Sequence, residues 1–172
     1  MRIDRRTALR WTLAAGAAGL LGACGFQLRG SSQTALPFKT IYLGFPDNSP
    51  LGTELRRYIK ADGTTVVKTP QEAEAILDVL SEAREKVVLS LNSQGRVREY
   101  TLYYRFNFRL RDNAGNILMP PTQLVLKRDI SFNESQVLSK ETEEASLYRD
   151  MQSDLVQQIL RRLAALKSAP TG

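Results

Sequence analysis

One side chain of this 172-residue sequence invites covalent chemistry, the thiol of Cys24. It is the single cysteine, and it directly follows Leu21-Gly22-Ala23. With no second thiol, no internal disulfide can form. The sequence also contains no histidine, so neither a Cys-His nor a Ser-His nucleophile pair can be assembled, nor a His-based metal site. What remains open to Cys24 is modification, and its surroundings fit that chemistry. Arg2, Arg5, Arg6 and Arg10 give a basic start, and an apolar stretch of 13 residues follows from Trp11 to Ala23. A membrane-spanning helix needs roughly 20. A charged leader, a short apolar core and small residues before a cleavage point describe an export signal over residues 1–23.

Leu21, Gly22 and Ala23 ahead of Cys24 resemble the lipobox of bacterial lipoproteins. That resemblance implies that the thiol carries a diacylglycerol, that the leader is cut before Cys24, and that the new amine is acylated. Each buried CH₂ adds about 0.8 kcal/mol, so more than one chain holds a protein on a bilayer almost permanently. This covalent lipid is the only prosthetic group expected, and the membrane is reached through it.

Without the leader, 149 residues remain, enough for one domain with its own core. The leader carries four Arg and one Asp, so its loss lowers the net charge from +6 to +3. A nucleic-acid binder of this size shows a denser basic stripe, and none is expected to bind here. Acids are present, and paired carboxylates can hydrolyse. Here, however, they lie on expected helix faces or alternate with apolar residues. No Gly-rich phosphate loop, Cys cluster or internal repeat occurs. The sequence reads as a binding protein, not an enzyme.

The elements that must position its charges follow from periodicity. Residues 24–38 form a Ser-containing tether. Lys39 to Phe45 reads as a strand ended by Pro46-Asp47-Asn48. Ser49 before Pro50 starts a helix, with Leu51, Leu55, Tyr58 and Ile59 at helical spacing and Asp62-Gly63 at its end. Thr64 to Lys68 is a short strand. From Ala75 to Leu91 the period is two. Ala75, Leu77, Val79, Val87, Leu89 and Leu91 are expected on one face, and Asp78, Glu82, Arg84 and Lys86 on the other, with a bulge at Ser81–Arg84. Asn92-Ser93-Gln94-Gly95 makes a hairpin turn. From Glu99 to Arg111, Tyr100, Leu102, Tyr104, Phe106, Phe108 and Leu110 alternate with Thr101, Tyr103, Arg105, Asn107, Arg109 and Arg111, giving one buried and one polar face. The three arginines there read as solvated, ion-paired or facing a partner. Ile117 to Phe132 returns, and Pro120-Pro121 marks an edge or a kink. A last helix spans Lys140 to Leu166, capped by Ser139, with Tyr148, Met151, Leu155, Ile159, Leu163 and Leu166 as its core stripe. The fold class is α/β of the α+β type: a two-layer sandwich with a mostly antiparallel sheet of four to five strands and two helices on one face. The domain spans 39–167, followed by a tail at 168–172.

Several stretches resemble the LptE family of lipopolysaccharide-assembly lipoproteins. They are Cys24-Gly25-Phe26-Gln27-Leu28-Arg29-Gly30, Glu99-Tyr100, Gln136-Val137-Leu138-Ser139-Lys140-Glu141, Tyr148-Arg149-Asp150-Met151 and Ile159-Leu160-Arg161-Arg162-Leu163. The resemblance implies a lipid-anchored protein on the periplasmic face of the outer membrane of a Gram-negative bacterium. It would plug the LptD β-barrel, assist that barrel's assembly and bind lipopolysaccharide during transfer to the cell surface. Gly25, where an Asp would favour inner-membrane retention in enterobacterial-type sorting, agrees with that location. Lys140 matches a basic position that the family associates with lipopolysaccharide contact. The family's basic residue in the hairpin loop has no identical match. Ser93 or Gln94 stands near its place, and Arg96 and Arg98 follow as candidate ligand contacts.

Beside that resemblance stands a physical rationale. Lipopolysaccharide molecules cohere partly through cations that bridge their phosphates, and protein cations can replace them. The planar fork of Arg meets phosphate oxygens bidentately. Lys140 is expected beside the free N–H groups of a helix start. Two other classes stay open: an accessory periplasmic lipoprotein of a phospholipid transporter, and a small hydrolase using two carboxylates.

Overall fold

The computed structural model describes residues 36–166, so Cys24, the leader, most of the tether and the tail from Lys167 lie outside the described residues. The strands are β1 (Thr40–Leu43), β2 (Thr65–Val67), β3 (Ala75–Leu91), β4 (Val97–Arg111) and β5 (Ile117–Ser131), and the helices are α1 (Pro50–Ala61) and α2 (Val137–Ala165). Sheet order is β2-β1-β3-β4-β5. The β1 strand pairs parallel with β2 and β3, and the long β3-β4-β5 meander is antiparallel. The expected two-layer sandwich is therefore present, with five strands. Leu36 and Phe38, from the segment read as tether, pack on its core. Among the described residues, no helix is long and apolar enough to cross a membrane.

The α1 helix forms where its sequence asks for it. Ser49 accepts a hydrogen bond from the Gly52 N–H at 3.0 Å, Pro50 occupies the first helical position, and Leu51, Leu55 and Ile59 are buried. On β4, Leu102, Tyr104, Phe106, Phe108 and Leu110 are fully buried, which fulfils the alternation. Pro120 and Pro121 sit on the edge strand β5, where a register shift separates Phe108 from Leu110.

Two expectations need correction. The first concerns β3. Val79 pairs with Phe108 and Ser81 with Asn107, so Leu80 is an extra residue, just ahead of the expected bulge. A single inserted residue reverses which side chains face which side. Beyond it, Glu82, Arg84 and Lys86 lie opposite Phe106, Tyr104 and Leu102, on the helix-covered face. Val87 is thereby turned out of the core, and further register shifts at Leu89 and between Ser90 and Leu91 leave those two leucines outside it as well, all three about half exposed. The second concerns the start of α2. Its N-cap is Gln136, with no side-chain bond. Before it comes a 3₁₀ turn, Glu134–Gln136, where Asn133 accepts from the Ser135 N–H. Ser139 is thus inside the first turn rather than the cap. The helix begins a turn before Lys140, so its free N–H groups precede that residue.

The α2 helix is held in two ways. All of its buried residues, Met151, Leu155, Val156, Ile159, Leu160 and Leu163, fall in its second half. The first half carries no buried residue and lies over the polar stretch of β3.

Candidate functional site

At the start of α2 a cleft of about 230 Å³ opens between the helix and the far ends of β3, β4 and β5. Tyr100, Ile130, Phe132 and Val137 give it an apolar lining, and Lys86, Lys140, Glu141 and Glu144 supply charge. Tyr100 and Phe132 meet edge to face with ring centres 5.4 Å apart, which is the favourable arrangement of the two quadrupoles. The Lys86 ammonium stands 4.4 Å from the centre of the Tyr100 ring. It donates to the Glu144 carboxylate. Lys140 donates to Ser131 Oγ at 3.0 Å and to Glu143 Oε2 at 2.8 Å, with its side chain 16% exposed. Each lysine is thus charge-compensated by a glutamate from α2.

Beside the cleft, a polar clamp ties the middle of α2 to the sheet and to α1. Tyr104 Oη donates to Glu82, and Arg84 Nη2 donates to Tyr104 Oη and to Gln152 Oε1, both at 3.1 Å. Gln152 donates in turn to Glu54 of α1 at 2.7 Å, and Tyr148 Oη to the Glu85 carbonyl at 2.9 Å. Burial, and after it the bond to Glu82, pushes the Tyr104 hydroxyl far above the ordinary tyrosine value. The group therefore stays a neutral donor. Burial and then the Glu144 charge raise Tyr148 as well.

Of the residues singled out from sequence, Lys140 lines the cleft. Arg96 and Arg98 do not line it but are tied to its margin. The Asn92 side chain accepts from the Arg96 N–H at 2.9 Å within the hairpin turn, and Gly95 adopts a φ of 76° there. Arg96 pairs with Glu134 at 3.0 Å. The Arg98 carbonyl accepts from the N–H of Phe132, a cleft residue, at 2.8 Å. Lys140 and the hairpin segment that carries Arg96 and Arg98 therefore lie at one end of the sandwich. Lys86 was missed because period-two counting places it on the solvent side; the extra Leu80 brings it in. Arg109 and Arg111 share Asp78 at 2.9 and 3.0 Å, and Arg105 pairs with Glu85 at 3.3 Å, so the polar strand face is ion-paired. Among the described residues, no group of three or more acidic or thiol side chains is placed to hold a metal ion.

The chain can be compared with known proteins on this footing. It is similar to the LPS-assembly lipoprotein LptE of Pectobacterium atrosepticum, 26% identical over 168 residues, which are 92% of this chain and 87% of that protein. Its fold is similar to the solution structure of lipoprotein B from Nitrosomonas europaea, with a TM-score of 0.73 and 41% identity over 84% of this chain and 94% of that one. It is also similar to a minor lipoprotein from Acinetobacter baumannii, with a TM-score of 0.63 and 27% identity over 77% and 95% of the two chains. The family model described as "LptE: Lipopolysaccharide-assembly" matches residues 38–163, nearly the whole described domain, and the chain belongs to that family.

Proposed function

We propose that this chain is the lipoprotein subunit of an outer-membrane lipopolysaccharide translocon. Acyl chains on Cys24 fix it to the inner leaflet of that membrane. The domain sits within the LptD β-barrel, assists its assembly, and contacts lipopolysaccharide through Lys140, with Arg96 and Arg98 on the adjoining hairpin. It has no catalytic role.

The observation that carries this reading is Lys140, steadied by Ser131 beside an apolar floor, with the Arg96 side chain paired to Glu134 and the Arg98 backbone bonded to Phe132 at the margin of the same cleft. A cation beside aromatic and aliphatic surface suits a ligand that is itself phosphate next to hydrocarbon. Replacing a bridging metal ion by a protein ammonium loosens the aggregate one contact at a time. Membership of the lipopolysaccharide-assembly family supports the ligand class.

The test is extraction of the acylated protein from its native membrane. Copurification with an outer-membrane β-barrel and lipopolysaccharide is expected. Recovery of soluble partners alone, or of phospholipid with an inner-membrane transporter, would overturn the reading in favour of the transporter-accessory class. Lys140→Glu should weaken lipopolysaccharide binding most at low salt, while leaving barrel association intact.

A further inference from the structure

We propose that Lys86 is a second phosphate ligand of the cleft, that Glu144 is the internal anion a ligand must displace, and that the pair selects phosphomonoester over phosphodiester amphiphiles. This rests on the lipopolysaccharide reading above and names the chemistry of the same site. Three charged side chains of β3 are turned to the α2 side of the sheet by the Leu80 bulge, and they do not fare alike. Glu82 and Arg84 are taken up by Tyr104, Tyr148 and Gln152. Lys86 has a single hydrogen-bond partner among the described residues, Glu144, and it borders the cleft.

Donor counting gives the cleft its ligand. An ammonium has three N–H donors. Lys86 uses one, on Glu144, and Lys140 uses two, on Ser131 and Glu143. Three donors on two side chains are left, and displacement of Glu144 frees a fourth, which suits a group with several strong acceptors such as a phosphate. Tyr100, Ile130 and Phe132 lie beneath as apolar surface, so the phosphate should belong to an amphiphile. At about 30 Å³ per water the cleft holds about eight waters. That is room for a phosphate and part of the ring bearing it.

Glu144 sets the selectivity. It already neutralises Lys86, so an incoming anion must offer more than a carboxylate does. A phosphomonoester carries about −1.5 to −2 at neutral pH, and displacing Glu144 gains charge interaction. A phosphodiester carries a single charge and gains none. The terminal phosphates of a phosphorylated glycolipid meet this condition, and diester phospholipids do not.

The test uses the full chain with lipopolysaccharide, phosphatase-treated lipopolysaccharide, and vesicles of phosphatidic acid or phosphatidylglycerol. Lys86→Gln should weaken lipopolysaccharide binding about tenfold, and Lys86→Arg should restore most of it. Glu144→Gln should strengthen binding and narrow the gap between phosphatidic acid and phosphatidylglycerol. An ion pair that only props up the fold predicts otherwise: both variants would weaken binding in step with their loss of thermal stability. That outcome overturns the proposal, as does unchanged binding by Lys86→Gln. Failure of the wild-type chain to bind lipopolysaccharide at all would instead remove the function it rests on.

Discussion

The guanidinium carbon of Arg84 lies 4.6 Å from the centre of the Tyr104 ring, and one of its nitrogens donates to the hydroxyl of the same tyrosine. A second ring, Tyr148 of α2, stands 5.4 Å away. This one side chain fastens β3, β4 and the helix together where apolar packing stops. Arg suits the place because its flat fork can stack and donate at once, which an ammonium cannot. Arg84→Ala removes the stacking and leaves a buried hydroxyl without its donor, so a loss of about 2 kcal/mol is expected. Arg84→Lys should recover less than half. Urea midpoints at fixed slope measure both, and an alanine variant of wild-type stability would contradict the clamp.

The clamp also explains what the sequence could and could not disclose. The β4 strand was legible because six alternating apolar residues admit one reading, and α1 because Ser49-Pro50 satisfies the helix start locally. The β3 strand was not, because a period-two count carries no warning of an inserted residue when charged side chains surround it. Leu80 looks like one more strand residue, yet it decides that Lys86 faces the cleft and Val87 does not. The start of α2 was misplaced for a related reason. Asn133 caps a 3₁₀ turn that feeds the helix without a break, and Ser139, six residues later, looks equally suitable. Lys140 was legible as a candidate by resemblance, and its place on the cleft comes from the structure; Glu143 is its neighbour three residues on along the helix, whereas Ser131 is brought to it by the end of β5.

Two kinds of attachment along α2 predict two exchange regimes. Amides from Val156 to Leu163 are backed by buried side chains and should exchange only through global unfolding. Those from Glu141 to Leu147, held by exposed ion pairs and Tyr148, should open locally and exchange sooner. Native-state hydrogen exchange reads this directly. Uniform protection along the helix would mean that the polar half is as firmly docked as the apolar half.

Asp78 should govern part of the acid stability. Partial burial would raise its carboxyl pKa, but hydrogen bonds from Arg109 and Arg111 outweigh that and hold it below its ordinary value of 3.8. A lowered native pKa means that the folded chain binds fewer protons than the unfolded one near that pH. The stabilisation is therefore complete above about pH 4 and is lost as pH falls through the native pKa. Asp78→Asn should cost about 1 kcal/mol at neutral pH, a modest sum because the pair is partly exposed. It should also flatten the decline in urea midpoint below pH 4. A variant that declines as steeply as the wild type would assign the acid sensitivity to other carboxylates.

Gly52 sets two effects of opposite sign against each other. It lies in the first turn of α1, where Gly→Ala gains at most the roughly 1 kcal/mol of helix propensity seen in helix interiors. A Cβ at this position, however, would stand 2.7 Å from both Cβ and Cγ of Phe45. Overpacking of that kind costs about 1–3 kcal/mol, and the sign depends on whether Phe45 can retreat. It cannot do so cheaply. Its ring is stacked on Phe106 at 5.6 Å and 5°, and Phe106 is stacked on Phe108 at 5.4 Å, both fully buried. Gly52→Ala should therefore lower the melting temperature by a few degrees. The double variant Gly52→Ala, Phe45→Leu should lose less than the sum of the two single changes, because the smaller side chain makes room for the methyl group. A rise in melting temperature for the single variant would show that α1 can shift along the sheet, and that the Phe45–Phe106–Phe108 stack does not fix its position.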